Sequence, residues 1–236
     1  MNAFIKKIAI PFLNVALKNK KNVCVSGNSN VNYGLLKSEK VKTTKKYPAI
    51  ITNSNIGNIG LGEGCRFFDC VCLGKVQLGR FVTLAGPGVK VCGNVDGIEI
   101  GSFTSIGANV VIQEGEHDYE RLTTYFVNRN VLENGKKEEI TKGKITIQEG
   151  VWIGSNSVIL SGVTIGRGAV IGAGSIVTKD VEPYSICVGA PCKEVKKRFS
   201  DDVIQKIENS RWWEMSTDEM KNNVHLFEDR EFEKYL

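Results

Sequence analysis

Ile147–Glu182 reads IQEGVW IGSNSV ILSGVT IGRGAV IGAGSI VTKDVE, six units of six residues that each open on Ile or Val. The openers are Ile147, Ile153, Ile159, Ile165, Ile171 and Val177. Four residues after each stands something small or β-branched: Val151, Ser157, Val163, Ala169, Ser175 and Val181. Glycine directly follows the opener at Gly154, Gly166 and Gly172. A period of six is neither the 3.6 of a helix nor the alternation of a plain strand, so the pattern is a repeat. Hexapeptide repeats mark a parallel β-helix, in which each unit is one short strand and a turn. The opener points into a narrow core and stacks on its equivalents in neighbouring coils. The small residue fits where two walls converge, and glycine accepts a turn geometry that a Cβ would penalise.

Upstream, Ile100, Ile106 and Ile112 keep the same register, with Gly101 and Gly107 following the first two. Earlier still, Leu61, Phe67 and Leu73 are spaced by six; one unit then shortens by a residue before Leu78 and Leu84 resume. Pro87 to Gly97 interrupts the pattern. The reading is therefore a mainly β chain: a β-helix domain over 56–192, between an N-terminal helical and irregular extension (1–55) and a C-terminal helical tail (193–236). One excursion, residues 113–144, leaves the repeat and returns to it, and long insertions on a regular scaffold commonly carry function.

Residues 1–22 read as an amphipathic helix, with Phe4, Ile5, Ile8, Phe12 and Leu13 apolar, lysines around them, and Pro11 expected to kink or split it. Packing on the prism or on a neighbouring subunit is one role for it; a cationic anchor on anionic lipid is the other. It is too short and interrupted to span a bilayer. Residues 23–55 read as irregular, with a solvated lysine-rich loop from Lys37 to Lys46. Beyond the repeat, Ser200 is a candidate N-cap for a helix ending near Trp212-Trp213, and Ser216 with Glu219 fits a capping box for a second helix through about Phe227.

The 236 residues carry 31 Lys and Arg against 26 Asp and Glu, a mild excess that suits a polyanionic small ligand, and no basic, aromatic-interleaved motif points to nucleic acid. Seven cysteines in irregular spacing with no CxxC read as buried free thiols of a reducing compartment. Only two histidines exist. His225 lies in the C-terminal tail near acidic residues and reads as solvated or packed. His117 opens the excursion in Glu116-His117-Asp118-Tyr119, where an imidazole with an ordinary pKa near 6.5 can serve as a general base.

This chain resembles the hexapeptide-repeat acyltransferases, in particular the xenobiotic acetyltransferases and the O-acetyltransferases of capsule and lipopolysaccharide synthesis. The resemblance covers roughly residues 95–225. It is carried by the hexads, Ile106-Gly107 leading to His117, Thr123-Thr124-Tyr125-Phe126, Val151-Trp152-Ile153-Gly154, Gly172-Ala173-Gly174-Ser175, Val177-Thr178-Lys179-Asp180, Gly189-Ala190-Pro191, and Lys196-Lys197-Arg198-Phe199 up to Arg211-Trp212-Trp213. The resemblance implies a left-handed β-helix, a homotrimer, and acetyl-CoA as co-substrate lying along a prism edge between subunits without a metal. It makes His117 the general base that deprotonates an acceptor hydroxyl, with Glu116 or Asp118 as candidates to orient it. Trp152 would meet the thiol-bearing end of the coenzyme. Ser155, Ala173, Thr178 and Lys179 would line its pantetheine arm, Pro191 would be a further coenzyme contact, and Lys193 and Lys196 would face its phosphates. Tyr125 and Phe126 would wall the acceptor.

The expected acceptor is a hydroxyl of a bacterial surface polysaccharide sugar or its precursor, acetylated in the cytoplasm at the inner face of the membrane. Antibiotic O-acetylation is one alternative, although the N-terminal extension and the long loop resemble the polysaccharide group more; amino-sugar N-acetylation is the other, since no residue separates amine from hydroxyl acceptors. A γ-type carbonic anhydrase needs three zinc-binding histidines and is excluded. A bare scaffold would have no use for the histidine loop.

Overall fold

A computed structural model describes residues 3–236, with side chains from Phe12 onward; the apolar face assigned to Phe4, Ile5 and Ile8 lies outside the described side chains. The fold is a left-handed parallel β-solenoid of about seven turns with helices at both ends. Three columns of inward residues fill it, as the period requires. One wall stacks Ile51, Phe67, Leu84, Ile106, Ile153, Ile171 and Cys187 in direct parallel register. The second stacks Val31, Ile56, Cys72, Val91, Ile112, Ile159 and Val177. The third pairs Val41 with Leu61, and Leu78 with Ile100, Ile147, Ile165 and finally Val181. All of these are buried, and each large aliphatic side chain removed from water contributes about 1.5–3 kcal/mol before entropy is counted.

Corners follow the same logic. The small residues Val151, Ser157, Val163, Ala169, Ser175 and Val181 are all buried. The two serines satisfy their hydroxyls locally, Ser157 donating to the Gly154 carbonyl at 2.8 Å and Ser175 to that of Gly172 at 2.6 Å. A Cβ on Gly154 would sit 2.6 Å from the backbone nitrogen of Ala173 in the next coil, so no larger residue fits there.

Several sequence expectations need correction. Residues 23–55 are not irregular: Val23–Ser26 pairs in parallel with Ala49–Thr52, and Asn30–Val31 with Asn55–Ile56, so the coils begin well before Ile56. The short unit falls between Phe67 and Cys72, which puts Cys72 inward and leaves Leu73 only half-buried. Residues 87–97 do not interrupt the prism, because Val89 and Val91 are buried within the strand Thr83–Ile100. The helix Ala3–Lys21 continues through Pro11 rather than splitting. None of the seven cysteines is paired; Cys65, Cys70, Cys72 and Cys187 are buried, and burial pushes the thiols of Cys65, Cys70 and Cys187 up to about 11.

The C-terminal tail folds back along one corner. Third after each inward residue of the last wall from Leu61 onward come Gly64, Phe81, Phe103, Gly150, Gly168 and Tyr184, all at positive φ. Trp212 packs at the Gly150 corner, its ring tilted 47° to that of Phe103 with centroids 5.2 Å apart, and lies 3.3 Å from where a Cβ of Gly150 would stand; Tyr184 and Arg198 close over Gly168. The tail helix Asp201–Ser210 has Ser200 at its N-cap position without a side-chain bond, and it ends at Arg211 in the left-handed region. Ser216 and Glu219 do form the capping box. The helix it starts stops at Asn222, short of Phe227, and a separate turn follows over His225–Glu228. Farther back, Arg80 donates to the carbonyls of Trp213 and Met215, and Lys46 pairs with Asp218 at 2.8 Å.

Candidate active site

The excursion leaves the second wall after Gln113 and returns at Ile145. Its base is a two-residue antiparallel ribbon in which Glu116 faces Ile140 and His117 faces Glu139. Glu114, wholly buried beneath it, accepts the N–H groups of Val95 at 2.8 Å and Asp96 at 2.9 Å. Burial alone would raise its pKa; those hydrogen bonds outweigh burial and hold the carboxyl below its ordinary value.

His117 is exposed at the mouth of the loop. Its Nδ1 lies 2.6 Å from the carbonyl oxygen of Thr124. A carbonyl can only accept, so Nδ1 carries a proton, and in the neutral imidazole Nε2 holds the free lone pair. The ring also stacks on Phe126, centroids 4.1 Å apart, and the guanidinium of Arg129 sits 4.2 Å over the same phenyl ring. Asp118 does not orient the imidazole: its carboxylate takes Arg121 at 2.7 Å, a pairing that holds it below the usual carboxylate range. Orientation comes from the Thr124 main chain. Tyr125 is exposed beside this stack.

The expected coenzyme positions fall on the outer surface of the last coils. Trp152, 55% exposed, stands in an outward column that runs Ser105, Trp152, Val170, Ile186 and Lys196 by strand register. Trp152 and Lys196 are thus three strand spacings apart, about 14 Å. Ser155 and Ala173 stack at the adjoining corner, where the Gly174 N–H donates to the Ser155 carbonyl at 2.9 Å. Pro191 lies on the turn above Ile176, fixed by the Cys192 N–H donating to the Ile176 carbonyl at 2.8 Å. Lys193 pairs with Val188 at the end of the last strand.

Thr178 and Lys179 are exposed at the next corner, beyond the strand Ile176–Val177, a full wall away from Trp152. Within one chain the positions therefore sort onto two edges. Among the described residues His117 makes no hydrogen bond or ring contact with any of them. His225 packs edge-on against Tyr235 at 4.4 Å, away from the loop. Arg129 and the Thr124 carbonyl were not singled out by the sequence reading; no periodicity marks either, and only their membership of the excursion could have flagged them.

With the geometry in place, the chain can be compared with known proteins. A family model for the bacterial transferase hexapeptide, six repeats, matches residues 144–179. A chloramphenicol acetyltransferase of Agrobacterium fabrum is 41% identical over 138 residues, 56% of this chain and 66% of that protein. A probable macrolide acetyltransferase of Lysinibacillus sphaericus is 38% identical over 141 residues, 56% of this chain and 77% of that protein. The chain belongs to the hexapeptide-repeat acetyltransferases. This hexapeptide-repeat protein spans about two-thirds of the length of the curated relatives it first matches. Among solved structures, a variant of AntD, an N-acyltransferase from Bacillus cereus in complex with dTDP and coenzyme A, is 25% identical. It superposes with a TM-score of 0.56 over 83% of this chain and 90% of that one.

Proposed function

We propose that this protein transfers the acetyl group of acetyl-CoA to a hydroxyl on a sugar of a bacterial surface polysaccharide or its precursor, with His117 as general base. The observation that carries the assignment is the Nδ1–H donated to the Thr124 carbonyl, which in the neutral imidazole puts the lone pair on Nε2. Nε2 takes the proton of the acceptor hydroxyl as its oxygen attacks the thioester carbonyl. The tetrahedral intermediate expels the coenzyme thiolate, which recovers that proton from the imidazolium. The developing oxyanion calls for fixed donors, and backbone N–H groups lining the cleft supply them.

Trp152 meets the thiol-bearing end, Ser155, Ala173, Thr178 and Lys179 line the arm, Pro191 is a further coenzyme contact, and Lys193 and Lys196 face the phosphates. Because those positions occupy two edges of one chain, a cleft between subunits of a homotrimer unites them. The coenzyme and dTDP held by the AntD variant support a coenzyme A cleft and a sugar-nucleotide-like acceptor. Acetyl-CoA as co-substrate suits work in the cytoplasm, and the exposed Lys18 and Lys20 of the helix Ala3–Lys21 suit an anionic inner face of the membrane.

Acetylation of an antibiotic is the second reading, favoured by the names of the relatives at 38–41% identity. An acetyl-CoA consumption screen decides between them, with sugar nucleotides and oligosaccharides set beside chloramphenicol and streptogramin A. Turnover on the antibiotics with no sugar accelerated above background hydrolysis overturns the polysaccharide reading. His117→Ala retaining full turnover overturns the base assignment.

A further inference from the structure

Beside the ribbon that carries His117 lies a cavity of about 470 Å³, roofed by the excursion and floored by Lys75, Asn94 and Val95 of the solenoid. Its walls hold four cations, Lys75, Arg129, Lys136 and Lys137, and three carboxylates, Glu133, Glu138 and Glu139. The two sets do not neutralise each other. Among the described residues none of the four cations has a carboxylate within 4.0 Å. Glu138 is turned inward and used up by the N–H groups of Asn128 and Arg129 and by the Asn128 side chain, at 2.9–3.0 Å. Burial would raise its pKa, but those bonds hold it below the ordinary value, so it stays ionised as a brace for the loop. Glu139 accepts from the Asn94 side chain at 2.9 Å. Lys75 donates to the Val95 carbonyl at 2.6 Å, so three cations without a carboxylate partner, Arg129, Lys136 and Lys137, face a space with only Glu133 and a hydrogen-bonded Glu139 opposing them.

The cavity also adjoins the candidate base. His117 and Glu139 are directly opposed across the ribbon, so their side chains leave the same face from Cα atoms about 4.5–5.5 Å apart. Phe126 lines the cavity while stacking on the His117 ring, and Arg129 lines it while covering Phe126. We infer that this cavity seats an anionic group of the acceptor, a sugar carboxylate or a sugar-linked phosphate, with Arg129, Lys136 and Lys137 as its specificity contacts. This rests on the acetyl-transfer reading above and narrows it: the substrate is an acidic saccharide or a sugar nucleotide rather than a neutral glycan.

The test uses the full chain in two measurements, calorimetric binding without acetyl-CoA and steady-state turnover with it. The probes are an oligosialic acid, UDP-linked and dTDP-linked hexoses, and a neutral oligosaccharide. An anionic probe is expected to bind with an affinity that falls as NaCl rises. The double variant Lys136→Gln/Lys137→Gln should raise its Kd and KM about tenfold with kcat unchanged, the size expected of two exposed charge contacts. Lys206→Gln, the loss of a charge on the tail helix away from the cavity, should change neither. Preference within the anionic probes distinguishes carboxylate from phosphate.

Equal binding of the neutral probe, or a double variant that matches the wild type, overturns the inference. Turnover on a neutral sugar with unchanged KM in the double variant does so while leaving acetyl transfer standing. Salt-sensitive anion binding with no acetyl-CoA turnover on any acceptor does the reverse.

Discussion

The hexads of 147–182 and the excursion of 113–144 are neighbours in the chain and obey opposite rules. In the hexads every sixth residue is an aliphatic side chain stacked on its equivalents, and the polar atoms at the corners are bonded within a coil or to the next. In the excursion the side chains of Leu122, Tyr125 and His117 stand toward solvent, while the carboxylates of Glu114 and Glu138 are buried. The hexads earn their stability from burial; the excursion is held by charged side chains bonded to main-chain N–H groups. Rigidity by hydrogen bonding leaves reactive side chains free at the surface, which is what a base and an acceptor pocket need.

Substitutions in the two regions should therefore separate activity from stability. His117→Ala is expected to lower kcat by about 10²–10⁴, with melting temperature and coenzyme affinity unchanged. The opposite result, lost stability with intact turnover, would erase the distinction. Ile159→Ala, in the middle of the second wall, should cost about 2–5 kcal/mol of stability in denaturant titration, with kcat per folded molecule unchanged.

Glu114, at the seam, tests how the excursion is fastened. Its folded pKa is lowered, so its stabilisation is fully present above the ordinary carboxylate value of 4.5 and is lost as pH falls through the folded value. Glu114→Gln should cost about 1–3 kcal/mol near neutrality, and the gap from wild type should close below that value. A pH-independent gap would show that the contact is steric rather than ionic. Weaker still, Lys196→Ala should loosen coenzyme binding by about fivefold or less, more at low salt than at high, as exposed charges do. Asp218→Ala, removing a fully exposed partner of Lys46, should leave the melting temperature where it was.

Legibility followed the same divide. The six strict hexads were readable because Ile153, Ile159 and Ile165 each occupy one wall and recur without a slip. The N-terminal coils were not, because their inward residues Val31, Val41 and Ile51 are each ten apart, and Phe67 and Cys72 only five. Register within a strand must be kept for stacking, but a corner can absorb extra or missing residues, so the period dissolves while the wall persists. Cys72 was hidden for a further reason: a thiol does the packing work of an aliphatic there, and Leu73 beside it matched the hexad by composition alone. In the site, His117 could be picked out because histidine is rare in this chain. The Thr124 carbonyl that fixes its tautomer is main chain, and no side-chain pattern announces it.

The tail crossing the corners has a consequence for the length of the solenoid. A stack whose coils touch only their neighbours has no intrinsic count; coils can be added or lost with little penalty to the rest. Here Trp212 must meet Phe103 and Gly150 while Asp218 reaches Lys46 and the carbonyls of Trp213 and Met215 meet Arg80. One coil more or fewer between Tyr47 and Gly150 would slide these seats apart by about 4.8 Å, more than a hydrogen bond can bridge. The tail is a ruler laid against the stack, and it fixes how many turns separate the first coils from the histidine loop.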